Sequence, residues 1–295
     1  MTSRLRRQVT RALYVTDRAW EQLVGWRRLG IRRRDLVLDL GSGGHPFIRA
    51  DVLCDKFLFD HSQRQRGESP VVDRPTVVAD AGHLPFGDRT FDFSWSSHLL
   101  EHLDDPAAYL RELARVSRRG IVIAPSGAWE RLYPVAAHRW AVTLASPRLR
   151  LSPKPPAPAD EPVARLFHEG LERYGLLYFW NYFRDVFEIR HRWSGEIDFE
   201  VQEDAASSDG WRPSGIGHGD APDRGVVDSL GKRRLKILAS RAIRRVASAH
   251  FGLDLWSMLV CPGCRGELAR APDHADCRGC GRRYQVLECI PILLV

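Results

Sequence analysis

Three groups of residues in this 295-residue chain have the types and spacing to do chemistry. The first is Val37-Leu38-Asp39-Leu40-Gly41-Ser42-Gly43-Gly44, where a hydrophobic run ends in an acidic residue and then glycines. Glycine has no Cβ, so the amides of such a turn can approach a nucleotide-type ligand closely. The second is His98-Leu99-Leu100-Glu101-His102, two imidazoles and a carboxylate able to move a proton or hold a cation. The third is Cys261-Pro262-Gly263-Cys264 followed, twelve residues on, by Cys277-Arg278-Gly279-Cys280. Four thiolates in two such knuckles suit tetrahedral Zn²⁺. A segment of about forty residues is too small to stand on apolar burial alone, so the metal is expected to be structural.

These residues need elements to position them, and the text around them supplies a rhythm. Leu36–Leu40, Asp51–Cys54, Thr76–Ala79, Phe91–Trp95 and Gly120–Ala124 are short apolar runs bounded by turn residues. Between the last two, Asp105-Pro106 supplies a cap and a first-turn proline for a helix in which Leu110, Leu113 and Ala114 face inward. Alternation of this kind predicts an α/β fold with a doubly wound parallel sheet. Ligands of such sheets lie outside the carboxyl ends of the strands, so Gly41–Gly44, Asp55, Asp80 and Ser96–His102 are expected to converge on one site.

The rest of the chain divides by composition. Residues 1–30 read as a basic helical cover on a core at 31–202. Within that core, 126–180 is Trp- and Pro-rich, includes Ser152-Pro153-Lys154-Pro155-Pro156-Ala157-Pro158, and reads as a cap. Trp129, Glu130, His138 and Trp140 are its expected acceptor-side wall. Val186–Trp193 and Glu196–Val201 alternate around Ser194-Gly195, predicting an antiparallel hairpin at the sheet edge. Residues 203–230 have the Gly, Ser, Asp and Pro content of a flexible linker. At 231–254, Leu235, Leu238, Ala242, Ile243 and Val246 recur at helical spacing opposite a basic face, and 255–295 holds the cysteines.

Composition limits the function classes. No run of eighteen apolar residues occurs and the N-terminal stretch is broken by arginines, which argues against a membrane span or a secretory signal and for the cytoplasm. In that compartment thiols stay reduced, which favours metal over disulfides for the paired cysteines. The net charge is +7, and Lys232, Arg233, Arg234, Lys236, Arg241, Arg244 and Arg245 cluster without an acidic residue. Such a patch within 232–245 is either a solvated helix face or an RNA contact.

The glycine turn does not match the dinucleotide fingerprint, because a GxGxxG beginning at Gly41 would need glycine where Pro46 stands. Instead the stretch Val37–Gly43, Asp55 after the second strand and Val78-Ala79-Asp80-Ala81 after the third resemble class I S-adenosylmethionine-dependent methyltransferases. Leu84-Pro85-Phe86-Gly87-Asp88-Arg89-Thr90-Phe91-Asp92-Phe93, then His98–His102 and Asp105-Pro106, resemble the group related to ubiquinone-biosynthesis enzymes, the likeness covering about residues 36–125. The resemblance implies a Rossmann-like fold and S-adenosylmethionine as cofactor. It implies that Asp39 and the amides around Gly41 and Gly43 hold the methionine part, that Asp55 accepts the ribose hydroxyls, and that Asp80 with Ala81 meets adenine, with Ser97 beside them. His45 stands where the family often has a third glycine.

His98 and His102 are the candidate bases, and His98, Glu101 and His102 a candidate divalent-cation site, as in related quinone O-methyltransferases. The same five residues spell the H-x-x-E-H pattern of zinc peptidases, but they fall where the methyltransferase signature has its segment after the fourth strand. Residues 255–295 resemble the small zinc-ribbon proteins that activate methyltransferases, with Cys289 where that family usually has glycine. The expected function is methyl transfer to an unidentified acceptor, either a small or glycolipid-like molecule or an RNA or protein. A catalytically silent scaffold and a nicotinamide oxidoreductase are the rivals.

Overall fold

The computed structural model describes residues 25–58, 70–132, 135, 137–154, 183–202 and 230–295. Most of the expected N-terminal cover, the linker at 203–229 and the cap beyond Lys154 lie outside the described residues.

Strands β1 (Val37–Leu40), β2 (Val52–Cys54), β3 (Thr76–Ala79), β4 (Phe93–Ser97) and β5 (Arg119–Pro125) form a parallel sheet in the order β3-β2-β1-β4-β5. Their residues are buried almost without interruption, as strands covered on both faces must be. Side chains alternate along β1: Leu38 and Leu40 enter one apolar cluster with Phe86, Tyr109 and Leu113, while Val37 enters a second with Phe47, Leu53 and Trp95. Trp26 and Leu29, at the described end of the N-terminal segment, pack on the second cluster.

The expected helix runs from Pro106 to Val116, with Asp105 accepting the Ala108 amide at 2.8 Å and Tyr109, Leu110, Leu113 and Val116 buried. It leads into β5, where a Cβ on Gly120 would lie 2.5 Å from the Ser94 carbonyl oxygen. Glycine there lets β4 and β5 approach.

The sheet edge differs from the expected hairpin. Strand β8 (Glu188–Ser194) does close the edge, antiparallel to β5 from Arg119↔Ser194 to Pro125↔Glu188. The following segment leaves it at Gly195, and β9 (Phe199–Val201) pairs parallel with β7 (Arg148–Pro153), which is itself antiparallel to β6 (Trp140–Ala145). The three form a separate small sheet. Ion pairs Arg148–Asp198 and Arg150–Glu200 and burial of Ile197 hold β9 there. The described part of the cap combines a short helix, Gly127–Leu132, with the strands β6 and β7, and Pro153 stands at the end of β7, where its missing N–H costs least.

The basic helix spans Leu230–Ala247, shorter than the expected 231–254. It ends because Ser248 turns inward, its hydroxyl donating to Asp51. Ser240 donates to Asp73 at 2.7 Å, and Arg244, 3% exposed, donates to the Asp73 carbonyl. Burial, with the Arg74 charge nearby, lowers the Arg244 pKa to about 10. So Arg244, expected on a solvent or RNA face, is an internal contact, while Arg241 and Arg245 are exposed.

Beyond the helix, β10 (Leu268–Arg270), β11 (His274–Cys277), β12 (Arg283–Leu287) and β13 (Ile290–Leu293) form an antiparallel meander. Strand β13 then pairs parallel with β3, Ile292↔Val78 and Leu293↔Ala79, making one ten-stranded sheet. Leu293, Tyr284 and Leu259 join the same apolar cluster as Leu38.

Candidate functional site

The glycine turn is built as the sequence suggests. Gly41 takes φ +77°, and its amide donates to the Cys54 carbonyl at 2.8 Å, tying the end of β1 to β2. A Cβ there would press on Leu99 at 3.1 Å. Gly43 also has positive φ, but a Cβ on it would meet nothing within 4 Å, so the turn presents its backbone to open space. The Gly43 amide donates to Asp55 Oδ2 at 2.9 Å and the Phe57 amide to Oδ1 at 2.9 Å. These two backbone donors hold the Asp55 carboxylate in place.

Asp39 is buried and accepts the Phe47 amide at 2.6 Å. Burial pushes its carboxyl up to about 7, against the Phe47 amide and the Arg74 charge. Asp80 pairs with Lys56 at 2.6 Å and accepts the Gly82 amide at 2.8 Å; burial alone would raise its pKa, but these partners hold it below the usual range. Lys56 is a partner the sequence gave no sign of. Asp80 is thus half of an ion pair just beyond β3, and Ala81 beside it is buried.

On the other side of the turn, β4 ends at Ser97 and the chain folds over. His98 has φ +55°, strained for a non-glycine residue, fixed by its amide donating to Ile123 at 2.8 Å. Its ring lies between two carboxylates, Nδ1 3.3 Å from Glu101 and Nε2 3.4 Å from Glu188. Burial would lower the His98 pKa, but the two carboxylates outweigh it and raise the value to about 9. The two carboxylates thus favour the protonated form of His98. Burial lowers the His102 pKa, and its Nδ1 lies 3.1 Å from the Ala137 carbonyl.

The cap supplies the opposite wall. His138 packs edge-on against His102 with centroids 4.7 Å apart, and its Nδ1 bonds Glu130 Oε1, while Lys154 pairs with Glu130 Oε2 at 3.0 Å. Trp140 Nε1 donates to the Leu103 carbonyl at 2.8 Å, and Trp129 packs on Phe187. Of the expected wall residues, Glu130, His138 and Trp140 lie beside His102 and Leu103, while Trp129 packs on Phe187. Glu188 and Lys154 were not legible in the sequence, because tertiary strand pairing alone brings them in. Of the expected trio, Glu101 and His102 group with His138, and His98 lies between Glu101 at 3.3 Å and Glu188 at 3.4 Å.

The four knuckle cysteines come together, one Sγ from each within 4.8 Å of the others. Cys261–Cys280 and Cys264–Cys277 are 3.7 and 3.4 Å apart, and none is in a disulfide. Four sulfurs at about 2.3 Å from one Zn²⁺ would sit about 3.8 Å apart, so the cluster fits that ion. Tyr284 Oη lies 3.1 Å from Cys261 Sγ.

Residues 38–124 match the profile of the methyltransferase domain. The matched span begins in β1 and ends in β5, so it takes in the glycine turn, Asp55, Asp80 and the His98–His102 segment. The chain is 34% identical over 116 residues to 27-O-demethylrifamycin SV methyltransferase of Amycolatopsis mediterranei, covering 36% of this chain and 42% of that protein. It is 35% identical over 108 residues to demethylmenaquinone methyltransferase of Corynebacterium urealyticum, covering 35% and 46%. The chain thus spans less than half the length of these curated relatives. Among solved structures, the complex of the Haloferax volcanii Trm112 methyltransferase activator with a candidate methyltransferase matches at 16% identity and TM-score 0.33, covering 64% of this chain and 97% of that one. Among the described residues, no helix is long and apolar enough to cross a membrane.

Proposed function

We propose that the protein transfers a methyl group from S-adenosylmethionine to a small acceptor, in the cytoplasm. The observation that carries this reading is the open face of Gly43, flanked by Asp55 and Asp80 at the ends of neighbouring parallel strands. Bound there, the cofactor supplies an electrophilic methyl on a sulfonium. The residues of the chain do the rest. The Gly41–Gly43 amides and Asp39 receive the methionine part, Asp55 accepts the two ribose hydroxyls as a paired acceptor, and Ala81 with Asp80 borders the adenine. Ser97 closes the floor.

Methyl transfer is an in-line displacement that needs alignment above all. His98, clamped by Glu101 and Glu188, is a fixed donor able to orient an acceptor oxygen, and partly exposed His102 faces the acceptor. Two features support a small acceptor over an RNA: the names of both curated relatives, and the burial of Arg244 inside the basic helix's docking surface. The cysteine module would bind structural Zn²⁺ and brace the donor-side edge through the β13–β3 pairing.

The test is incubation of full-length protein and cell extract with deuteromethyl-labelled S-adenosylmethionine, followed by untargeted mass spectrometry. A labelled small molecule that requires Asp55 supports the reading. Label found only in RNA or protein, or in nothing, overturns it.

A further inference from the structure

We propose that the outward face of the Leu230–Ala247 helix, with the turn after it, docks on the surface of an anionic phospholipid membrane. A surface helix normally buries its apolar row and solvates its polar side. This one is laid on the core the other way round. Ser240 and Arg244 point inward, donating to Asp73 at 2.7 Å and to its carbonyl at 3.3 Å, and Ala247 is buried with them. Leu238, Ala242 and Val246, spaced i, i+4 and i+8, are turned outward as one row. Val246 is 75% exposed and Leu238 61%, the two highest values among the described large hydrophobic residues. Phe251, exposed just beyond the helix, adds an aromatic ring with the Arg245 guanidinium over it at 5.0 Å. Contiguous apolar surface of this kind marks a contact site.

The charge around the row chooses the occupant. From Ser229 to Leu253 the sequence holds seven lysines and arginines and no aspartate or glutamate. Arg244 is taken up inside by Asp73, whereas Arg241 and Arg245, four apart, form an exposed row beside the apolar one. Two copies of such a face would repel each other. A nucleic acid would satisfy the cations but set Leu238 and Val246 against phosphates. Anionic headgroups over acyl chains take both: the headgroups pair with the guanidinium groups and the apolar row enters the boundary beneath them. The helix is not apolar enough to cross a bilayer, so it would lie in the plane of the interface.

The inward side of the helix ties this face to the glycine turn. Arg74 donates to Ser240 at 3.0 Å and to the Phe47 and Ala50 carbonyls at 2.9 and 2.8 Å, and the Phe47 amide is the partner of Asp39. Docking would therefore hold the parallel sheet at a fixed attitude to the membrane. It needs no step of methyl transfer and stands or falls apart from that reaction.

The test is flotation of full-length protein with vesicles of phosphatidylcholine alone and of phosphatidylcholine mixed equally with phosphatidylglycerol, at low and high salt. The expected result is binding to the mixed vesicles only, weakened by salt, and lowered about tenfold or more in the double variant Leu238→Gln, Val246→Gln. Both side chains are exposed and glutamine is a good helix former, so the variant should keep the wild-type melting temperature. Arg241→Gln, which removes one exposed cation, should weaken the same binding severalfold. Equal flotation with the two vesicle types overturns the proposal, as does binding that the double variant leaves unchanged. Absence of flotation overturns it too, whether the face then proves to join two copies, read as a concentration-dependent dimer in sedimentation velocity, or to hold polyuridylate.

Discussion

Asp39 shows how a single buried carboxylate couples a binding site to pH. Its folded pKa of about 7 lies above the ordinary carboxylate value, so the folded chain binds more protons than the unfolded one between the two. The stability this gives is fully present below about pH 4 and is lost as pH rises toward 7. Asp39→Asn should flatten the fall in melting temperature across that window, as read by scanning calorimetry at several pH values. A cationic donor beside Asp39 favours the ionised form, so S-adenosylmethionine affinity should rise between about pH 6 and 8 in wild type and lose that rise in Asp39→Asn. Gly41→Ala should destabilise by about 1–2 kcal/mol from its left-handed backbone, with more from the Leu99 contact. Residues of this kind were legible because a turn after a strand has a local signature. Glu188 and Lys154 were not, since nothing near them in sequence says which strand they will face.

The elements were most readable where neighbours in sequence are also neighbours in space. The five parallel strands and the Asp105-capped helix follow the pattern of apolar runs, caps and turn glycines. Strand β9 did not, because alternation says that a segment is half-buried but not which partner it chooses. Arg148–Asp198, Arg150–Glu200 and the buried Ile197 side chain decide that between β8 and β7, and none of these is a local signal. At this scale Gly120 is the tightest joint. Gly120→Ala should cost about 1–3 kcal/mol, since its Cβ would press on the Ser94 carbonyl and lie 2.9 Å from the Trp193 ring, and denaturant unfolding should show a lower midpoint. An unchanged midpoint would mean that β4 and β5 can separate at little cost.

For the whole molecule, the cysteine module is a continuation of the parallel sheet. Strand β13 covers the exposed edge of β3, Val260 donates to the Pro85 carbonyl at 3.0 Å, and Leu293 is fully buried in the shared core. An uncovered edge strand invites aggregation, so the module would protect the donor side as well as stabilise it. Removing zinc with a strong chelator should therefore lower the melting temperature of the full chain by about 10 °C and weaken donor binding, rather than melt an isolated appendage. The cysteine spacing made the four-thiolate cluster legible, and the apolar run ending in Ile290-Pro291-Ile292-Leu293 made a docking strand legible. The choice of β3 as its partner belongs to the assembled fold.

The most direct measurement is isothermal titration of the full-length protein with S-adenosylmethionine, set beside Asp55→Ala. The arrangement of Gly43 and Asp55 predicts a single binding event that the substitution weakens by about 10- to 100-fold, the worth of a charge-assisted pair of hydrogen bonds. Equal affinity in the two proteins, or no heat in either, would contradict the assignment of the glycine turn and its neighbouring carboxylates as the methyl-donor site.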